Sequence, residues 1–342
     1  MNLSSHKPLI SHSARILTLL AFACVLFVSG IVQAQKAITS HQVRVLTREG
    51  KIVEGNLTSG SFTLDGRASL SVTADRLLSF NLAADANARE AERIAAGLVA
   101  VQGADRAARD AAAAELTDIG LPAMTPLLNA YKDRDMREPD AMYHLFNRLM
   151  PGYADTLDRS LDLIRLKNGS ALRGHIGADK LALRQADGSE LKLSLAEIRS
   201  LAVRQAKIEK NFDLQALRHC TQIEFLDTGV ILSPTSRVEV TANGFVRLAF
   251  AVDGWASDAD GIKVPGPNYK TNLVDGFPFG AVVGKVGVTG PRFLVGHRLD
   301  KTGLGTGRLY LAVNDNGHWQ NNLGSFRVNL RVSDAYDMGD AQ

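Results

Sequence analysis

Near the C-terminus, Asn314 and Asp315 are followed, after the polar loop Asn316-Gly-His-Trp-Gln320, by a second amide pair, Asn321 and Asn322. One carboxylate and several amide oxygens on a single loop are the hard oxygen donors that calcium takes. The same residue types also make tight turns, because Asn and Asp side chains bond the local backbone and tolerate left-handed geometry. Asn316-Gly317 in particular is a hairpin signal. Residue types alone therefore leave a metal loop and a plain turn both open.

Other chemistry is thinly represented. The histidines beyond the leader, His41, His144, His175, His219, His297 and His318, lack the paired spacing of a zinc site. Neither a Gly-x-Ser-x-Gly elbow nor a His-Glu-x-x-His helix is present. Asp258, Asp260 and Asp300 could supply the two carboxyl groups of glycoside hydrolysis, but a chain with many acids always contains such pairs. The glycines of Gly303-Leu-Gly305-Thr-Gly307 lack the lysine of a phosphate loop and read as a turn between strands. Cys220 stands beside His219. Adjacent residues on a strand point to opposite faces, so a buried or linker thiol is favoured over a nucleophile.

The loop has to be held by strands. Leu309-Tyr-Leu-Ala-Val313 precedes it, and Phe326, Val328, Leu330 and Val332 alternate behind it as one buried face. Together with Val238 to Val240, Val246 to Ala249 and Ala281 to Val286, these strands predict an antiparallel sandwich of two sheets.

This region, about residues 222 to 332, resembles the bacterial calcium-dependent galactophilic lectins (LecA-like). The resemblance is carried by Asn314-Asp315, the short loop, Asn321-Asn322 and Gly324-Ser-Phe326, and further by Gly280-Ala-Val-Val-Gly-Lys-Val-Gly287, Phe293-Leu-Val-Gly296 and Gly307-Arg-Leu-Tyr310. It implies that Asp315, Asn321 and Asn322 ligate calcium and that Asp315 and Asn321 also touch a sugar. The loop is one residue shorter than the family's, and His318 is the nearest candidate for the backbone carbonyl it should offer. Where the family has a sugar-gripping His-Pro-x-Gln, this chain has Pro267-Asn-Tyr-Lys-Thr-Asn272, without the His or the Gln. Galactose specificity does not carry over. The family's Gly-Trp-Ala-Ser, which precedes another calcium-binding carbonyl, is matched either by Gly254-Trp-Ala-Ser257 or, by strand register, by Gly244-Phe245. Trp319 or Trp255 could offer a flat apolar face to a sugar ring, although a Trp in a sandwich is more often core.

The opposite end predicts the compartment. Lys7 and Arg15 precede the apolar run Ile16 to Val28, and Val32-Gln-Ala34 supplies a small-residue exit. This is the pattern of a signal peptide cleaved after Ala34; the alternative is an uncleaved membrane anchor. Cleavage would remove Lys7 and Arg15 and lower the formal charge from +3 to +1. No basic stripe remains, which argues against a nucleic-acid partner. The expected location is the periplasm, the cell surface or the medium. Only Cys220 would remain, so the mature chain has no internal disulfide.

The remaining length exceeds one ordinary core. Val43-Arg-Val-Leu-Thr-Arg-Glu-Gly50-Lys-Ile-Val-Glu-Gly55 parallels Asp162-Leu-Ile-Arg-Leu-Lys-Asn-Gly169-Ser-Ala-Leu-Arg-Gly174, with glycines five apart in both. Each reads as a hairpin. Lone hairpins are marginal, so the two copies are expected to join in one small barrel or sheet. Between them lie the helix formers of Ala88 to Val101 and Ala107 to Leu116, then Gly120-Leu-Pro122 and a helix from Met124 to Tyr131. The run from Ala111 to Asp133 resembles one HEAT-type helical hairpin, too few for a solenoid and therefore a cap or a protein-docking element.

The expected fold class is multidomain and mainly β with a helical insertion. Its parts are a signal peptide (1–34), β repeat 1 (35–85), the helical HEAT-like segment (86–158), β repeat 2 (159–205), a linker (206–221), the LecA-like β-sandwich (222–335) and a tail (336–342). The expected function is a non-catalytic, calcium-dependent carbohydrate-binding protein. Carbohydrate or a glycoconjugate is the expected partner, with a protein partner at the helical segment and membrane contact only through an uncleaved leader. An envelope assembly protein with a degenerate lectin-like domain and an unrecognised glycoside hydrolase are the alternatives.

Overall fold

A computed structural model describes residues 41–58, 61–65, 69–83, 85–132, 161–177, 180–221, 225–248, 256–262, 276–315 and 322–339. The chain is mainly β with a helical insertion, and its buried side chains form separate cores for the repeats, the helices and the C-terminal strands.

Repeat 1 comprises β1 (His41–Thr47), β2 (Ile52–Leu57), β3 (Ser61–Asp65), β4 (Leu70–Thr73) and β5 (Leu77–Asn81). Repeat 2 comprises β6 (Asp162–Leu166), β7 (Ala171–Gly177), β8 (Leu181–Arg184), β9 (Glu190–Leu193) and β10 (Ile198–Gln205). The two repeats exchange strands reciprocally. β1 pairs with β10 as β6 pairs with β5, β2 pairs with β8 as β7 pairs with β3, and β5 pairs with β10 at the centre. Neither repeat can satisfy its edges alone, so the internal similarity becomes a twofold strand exchange around a single core that includes Val43, Phe80, Ile164 and Leu201. Gly50 and Gly169 hold the equivalent turns with φ of 83° and 86°, the left-handed geometry that favours glycine.

The insertion folds as α1 (Ala88–Val101), α2 (Arg106–Ile119) and α3 (Leu121–Lys132). Asn87 and Glu90 form a capping box at the start of α1. Gly97 faces Leu116, where an added Cβ would lie 3.1 Å from the leucine side chain, and this allows α1 and α2 to pack closely. Glu90 also does a second job. Its carboxylate receives two hydrogen bonds from the buried Arg199 of β10, at 2.8 and 2.6 Å, and one from Arg48 at 3.1 Å. Arg199 donates additionally to the Leu82 carbonyl at 2.8 Å. The buried charges are thus paired and hydrogen-bonded, the condition under which burial is tolerated.

The C-terminal strands are β11 (Ile208–Gln215), β12 (Leu226–Arg247), β13 (Ala256–Ser257), β14 (Val282–Val286), β15 (Arg292–Leu294), β16 (Arg298–Thr302), β17 (Gly307–Val313) and β18 (Leu323–Asp337). β12 and β18 pair along most of their lengths, but the register breaks where Ser233 to Ser236 stand opposite Asp334, a non-glycine residue with φ of 63°. On one side of this break β12 continues to β16 and β18 to β11; on the other, β12 continues to β17 and then β14 and β15. Long strands that bend at a bulge and serve two sheets make the corner of a sandwich. A single core joins the halves, with Val240, Phe326 and Leu330 from one and Leu232, Leu309 and Val282 from the other.

Residues 208 to 215, expected as part of a linker, are strand. Ile208, Leu214 and their alternation face the core, while Lys210 occupies an inward position and reaches Asp337 at 2.7 Å. That inward lysine breaks the apolar pattern by which the strand would have been recognised.

Helix α2 lies against the sandwich through one stripe. Asp118 meets Arg308 of β17 at 2.5 Å, Asp110 lies 3.5 Å from Lys285 of β14, and Arg106 donates to the Thr221 carbonyl. Spacings of four and eight residues put these three on one helical face. Arg308 is also 3.1 Å from the buried Asp227. Burial opposes the charge on Arg308, but Asp227 and Asp118 outweigh it and raise its pKa.

Candidate functional site: an oxygen-lined loop end

Strand β17 is buried from Leu309 to Val313 and delivers Asn314 and Asp315 at its end. Strand β18 begins directly after Asn322. The site is therefore framed by two core strands. Asn314 continues the β14 ladder, its N–H donating to the Ala281 carbonyl and its carbonyl accepting from Gly280 N–H, each at 2.8 Å. Gly280 has φ of 80°, and a Cβ there would lie 2.5 Å from Ser257, so this approach requires glycine.

Asp315 and Asn322 are each 1% exposed. The Asn322 amide nitrogen donates to Asp315 Oδ2 at 2.7 Å and to the Ala216 carbonyl at 3.1 Å. Both partners are acceptors, which fixes the amide orientation: the NH2 group must face them and Oδ1 must face away. Asn322 Oδ1 is buried without a hydrogen-bond partner. Asn314 repeats the pattern. Its amide nitrogen donates to the Phe277 and Pro278 carbonyls at 3.1 Å each, and its Oδ1 is likewise buried and unpartnered.

A buried acceptor without a donor costs about 1–3 kcal/mol, and an unseen water or ion is one of the ways a folded protein meets that cost. The Asp315 carboxylate and the unpartnered amide oxygens of Asn314 and Asn322 are all hard oxygen donors. That chemistry suits calcium, which accepts carboxylate and amide oxygens, and lacks the nitrogen and sulfur ligands of zinc. The donor types present fit the ion. Among the described residues, no cluster of three or more His, Cys, Asp or Glu side chains is suited to hold a metal.

Of the residues expected from sequence, Asp315 and Asn322 are brought together. Asn321, His318 and Trp319 lie outside the described residues, as do Trp255 and Pro267 to Asn272. Gly244-Phe245 lies within β12, and Ala256-Ser257 returns against it, with Val246 opposite Ser257. The described part of the first stretch, Ala256-Ser257, therefore lies beside the end of β12 that follows Gly244-Phe245. Sequence reasoning missed Asn314 as an oxygen donor in its own right, as well as Ala216 and Thr221, whose contacts to the loop run through backbone groups that leave no mark in the sequence.

The carboxylates considered for hydrolysis are otherwise engaged. Asp258 and Asp260 accept backbone N–H groups, from Asp260 at 3.0 Å and His297 at 2.7 Å. Asp300 forms a bidentate pair with Arg237 at 2.8 and 2.6 Å, and this hydrogen bonding lowers its pKa. A general acid needs the opposite shift. Cys220 is buried, held beside Val313 by a parallel bridge.

No protein-family model matches the chain, and no curated protein matches it. Among solved structures, it is similar to one described as "EclA N-terminal domain; PllA-like lectin", at 20% identity over 36% of this chain and 96% of that one, with a TM-score of 0.29.

Proposed function

We propose that the chain is an exported, non-catalytic carbohydrate-binding protein whose C-terminal sandwich carries a calcium-dependent sugar site. The observation that supports this reading best is that the buried Asp315 carboxylate is met by Asn322, while Asn314 and Asn322 each keep a buried, unpartnered amide oxygen. Asp315 and Asn322 would hold the ion together with Asn321, with Asn314 Oδ1 as a further donor. A bound calcium ion supplies positive charge and vacant coordination positions that vicinal sugar hydroxyls can fill. Asp315 and Asn321 would then accept hydrogen bonds from those hydroxyls, with His318 and Trp319 at the rim. The sugar need not be galactose, because Pro267 to Asn272 lacks the family's His and Gln.

The leader pattern supports export to the periplasm or cell surface, and the helical segment remains a candidate docking element for a protein partner. The test of function is a glycan array probed with the whole chain from Gln35, once in calcium and once in chelator. Binding that requires calcium supports the proposal. Absence of glycan binding in both conditions would favour the assembly-protein reading, in which the sandwich has kept its fold and lost its ligand.

A further inference from the structure

The segment immediately before β12 grips both ends of the candidate loop. Thr221, fully buried, exchanges two hydrogen bonds with the backbone of Asp315. Its hydroxyl accepts from Asp315 N–H at 2.9 Å and donates to the Asp315 carbonyl at 2.6 Å. Its own N–H donates to the Val313 carbonyl at 2.9 Å. Five residues earlier, the Ala216 carbonyl takes the Asn322 amide and the Ala216 N–H donates to the Gly324 carbonyl at 3.1 Å. Residues 216 to 221 thus connect the two ends of the site, one end on Asp315 and the other on Asn322.

Thr221 is held in turn from the helical insertion. Arg106, in the first turn of α2, donates to the Thr221 carbonyl across 115 residues of sequence. Burial lowers the pKa of Arg106, and the nearby Asp110 works against that shift. A long cationic side chain brought into such surroundings to meet one carbonyl fixes where that carbonyl sits.

We infer that Thr221 and Arg106 are positioning residues for the candidate cation site, so that the site is a property of the helical insertion and the sandwich together. This rests on the calcium reading above. The physical reason is preorganisation. Ligands held in place before the ion arrives lose less freedom on binding it, and supporting groups around a metal site commonly set its affinity by tenfold or more.

The experiment is calcium binding by titration calorimetry on the whole chain from Gln35, with thermal unfolding in chelator run alongside. Wild type is compared with Thr221→Val, which keeps the shape and removes the hydroxyl, with Thr221→Ser, which restores it, and with Arg106→Met. Thr221→Val is expected to weaken calcium about tenfold, Thr221→Ser to recover wild-type affinity within about threefold, and Arg106→Met to weaken calcium by a smaller factor. A purely structural role would lower the unfolding midpoint in chelator and leave the affinity of the folded protein unchanged, and that result would overturn the inference. Wild type that takes up no calcium would overturn the calcium reading and this inference with it. Wild type that binds while Thr221→Val binds equally well would overturn the inference alone.

Discussion

Asn314 and Asn322 each spend both amide hydrogens on acceptors and leave a carbonyl oxygen buried and unpartnered. Glu90 illustrates the opposite condition, a buried acid with both carboxylate oxygens hydrogen-bonded. Burial alone would raise its pKa, but the hydrogen bonds and charge of Arg199, the Asn87 N–H and Arg48 outweigh that and lower it below the ordinary value of 4.5. A carboxylate whose folded pKa is depressed contributes stability above its unfolded pKa and loses it as pH falls through the folded value. Glu90 should therefore support the fold at neutral pH and begin to lose that support on acidification below about pH 4.5. Glu90→Ala should cost about 3–5 kcal/mol at pH 7, because it strands the buried Arg199 charge. The penalty should shrink as pH falls through the depressed folded pKa, where wild type loses the same interaction, and urea unfolding of both proteins over a pH series from 7 downward would measure it. Neither this pair nor the contacts of Thr221 was legible in the sequence. Glu90 and Arg199 are 109 residues apart, and nothing in their local patterns marks either as buried.

Among the elements, β18 was the most legible, since Phe326, Val328, Leu330 and Val332 alternate without interruption and all lie in the core. The paired hairpins were legible for a similar reason, with Gly50 and Gly169 at equivalent left-handed turns. β11 was not, because the inward Lys210 mimics a solvent-facing residue until Asp337 is brought to it from the far end of the chain. The length of β12 was hidden too: Ser233-Pro-Thr-Ser236 carries no apolar alternation, and it forms the corner around which the strand continues. Two glycines shape the strand pair beside the candidate site. Gly244 has φ of 118° and Gly324 φ of 85°, and a Cβ on either would lie 2.7 Å from a carbonyl of the opposite strand. Gly324→Ala should therefore destabilise the protein by roughly 1–3 kcal/mol from backbone strain alone, before the clash with the Phe245 carbonyl is counted. Thermal unfolding of the variant would show it, and an unchanged midpoint would mean that the backbone there is free to relax.

At the scale of the molecule, from His41 on the chain forms one compact unit in which the helical insertion reaches both neighbours. α1 is tied to the repeats through Glu90, and α2 is tied to the sandwich through Arg106, Asp110 and Asp118. Arg204, at the end of β10, adds a further link by bonding Asp334 at 2.5 Å and Thr235 at 2.8 Å at the sandwich corner. A fragment cut at residue 222 should therefore fare poorly. It would lose β11 from the side of β18, together with Ile208, Leu214, Ala216 and Cys220 from the core. Removing several buried apolar side chains at once exceeds the margin of an ordinary domain. Residues 222–342 are expected to show no cooperative thermal transition, whereas residues 206–342 should show one at a lower temperature than the whole chain. A cooperative transition from the shorter fragment would mean that β11 is dispensable.

The claim that depends on all three scales is that Asp315 and its neighbours hold calcium in the folded chain. The most direct measurement is thermal unfolding of the whole chain from Gln35 in excess calcium and in chelator, for wild type and for Asp315→Ala. A ligand bound only by the folded state stabilises it by about 2.7 kcal/mol at a hundredfold excess over Kd, so the wild-type midpoint should rise in calcium and return in chelator, while Asp315→Ala stays flat. A wild-type midpoint indifferent to calcium, or a rise that persists in Asp315→Ala, would contradict the account.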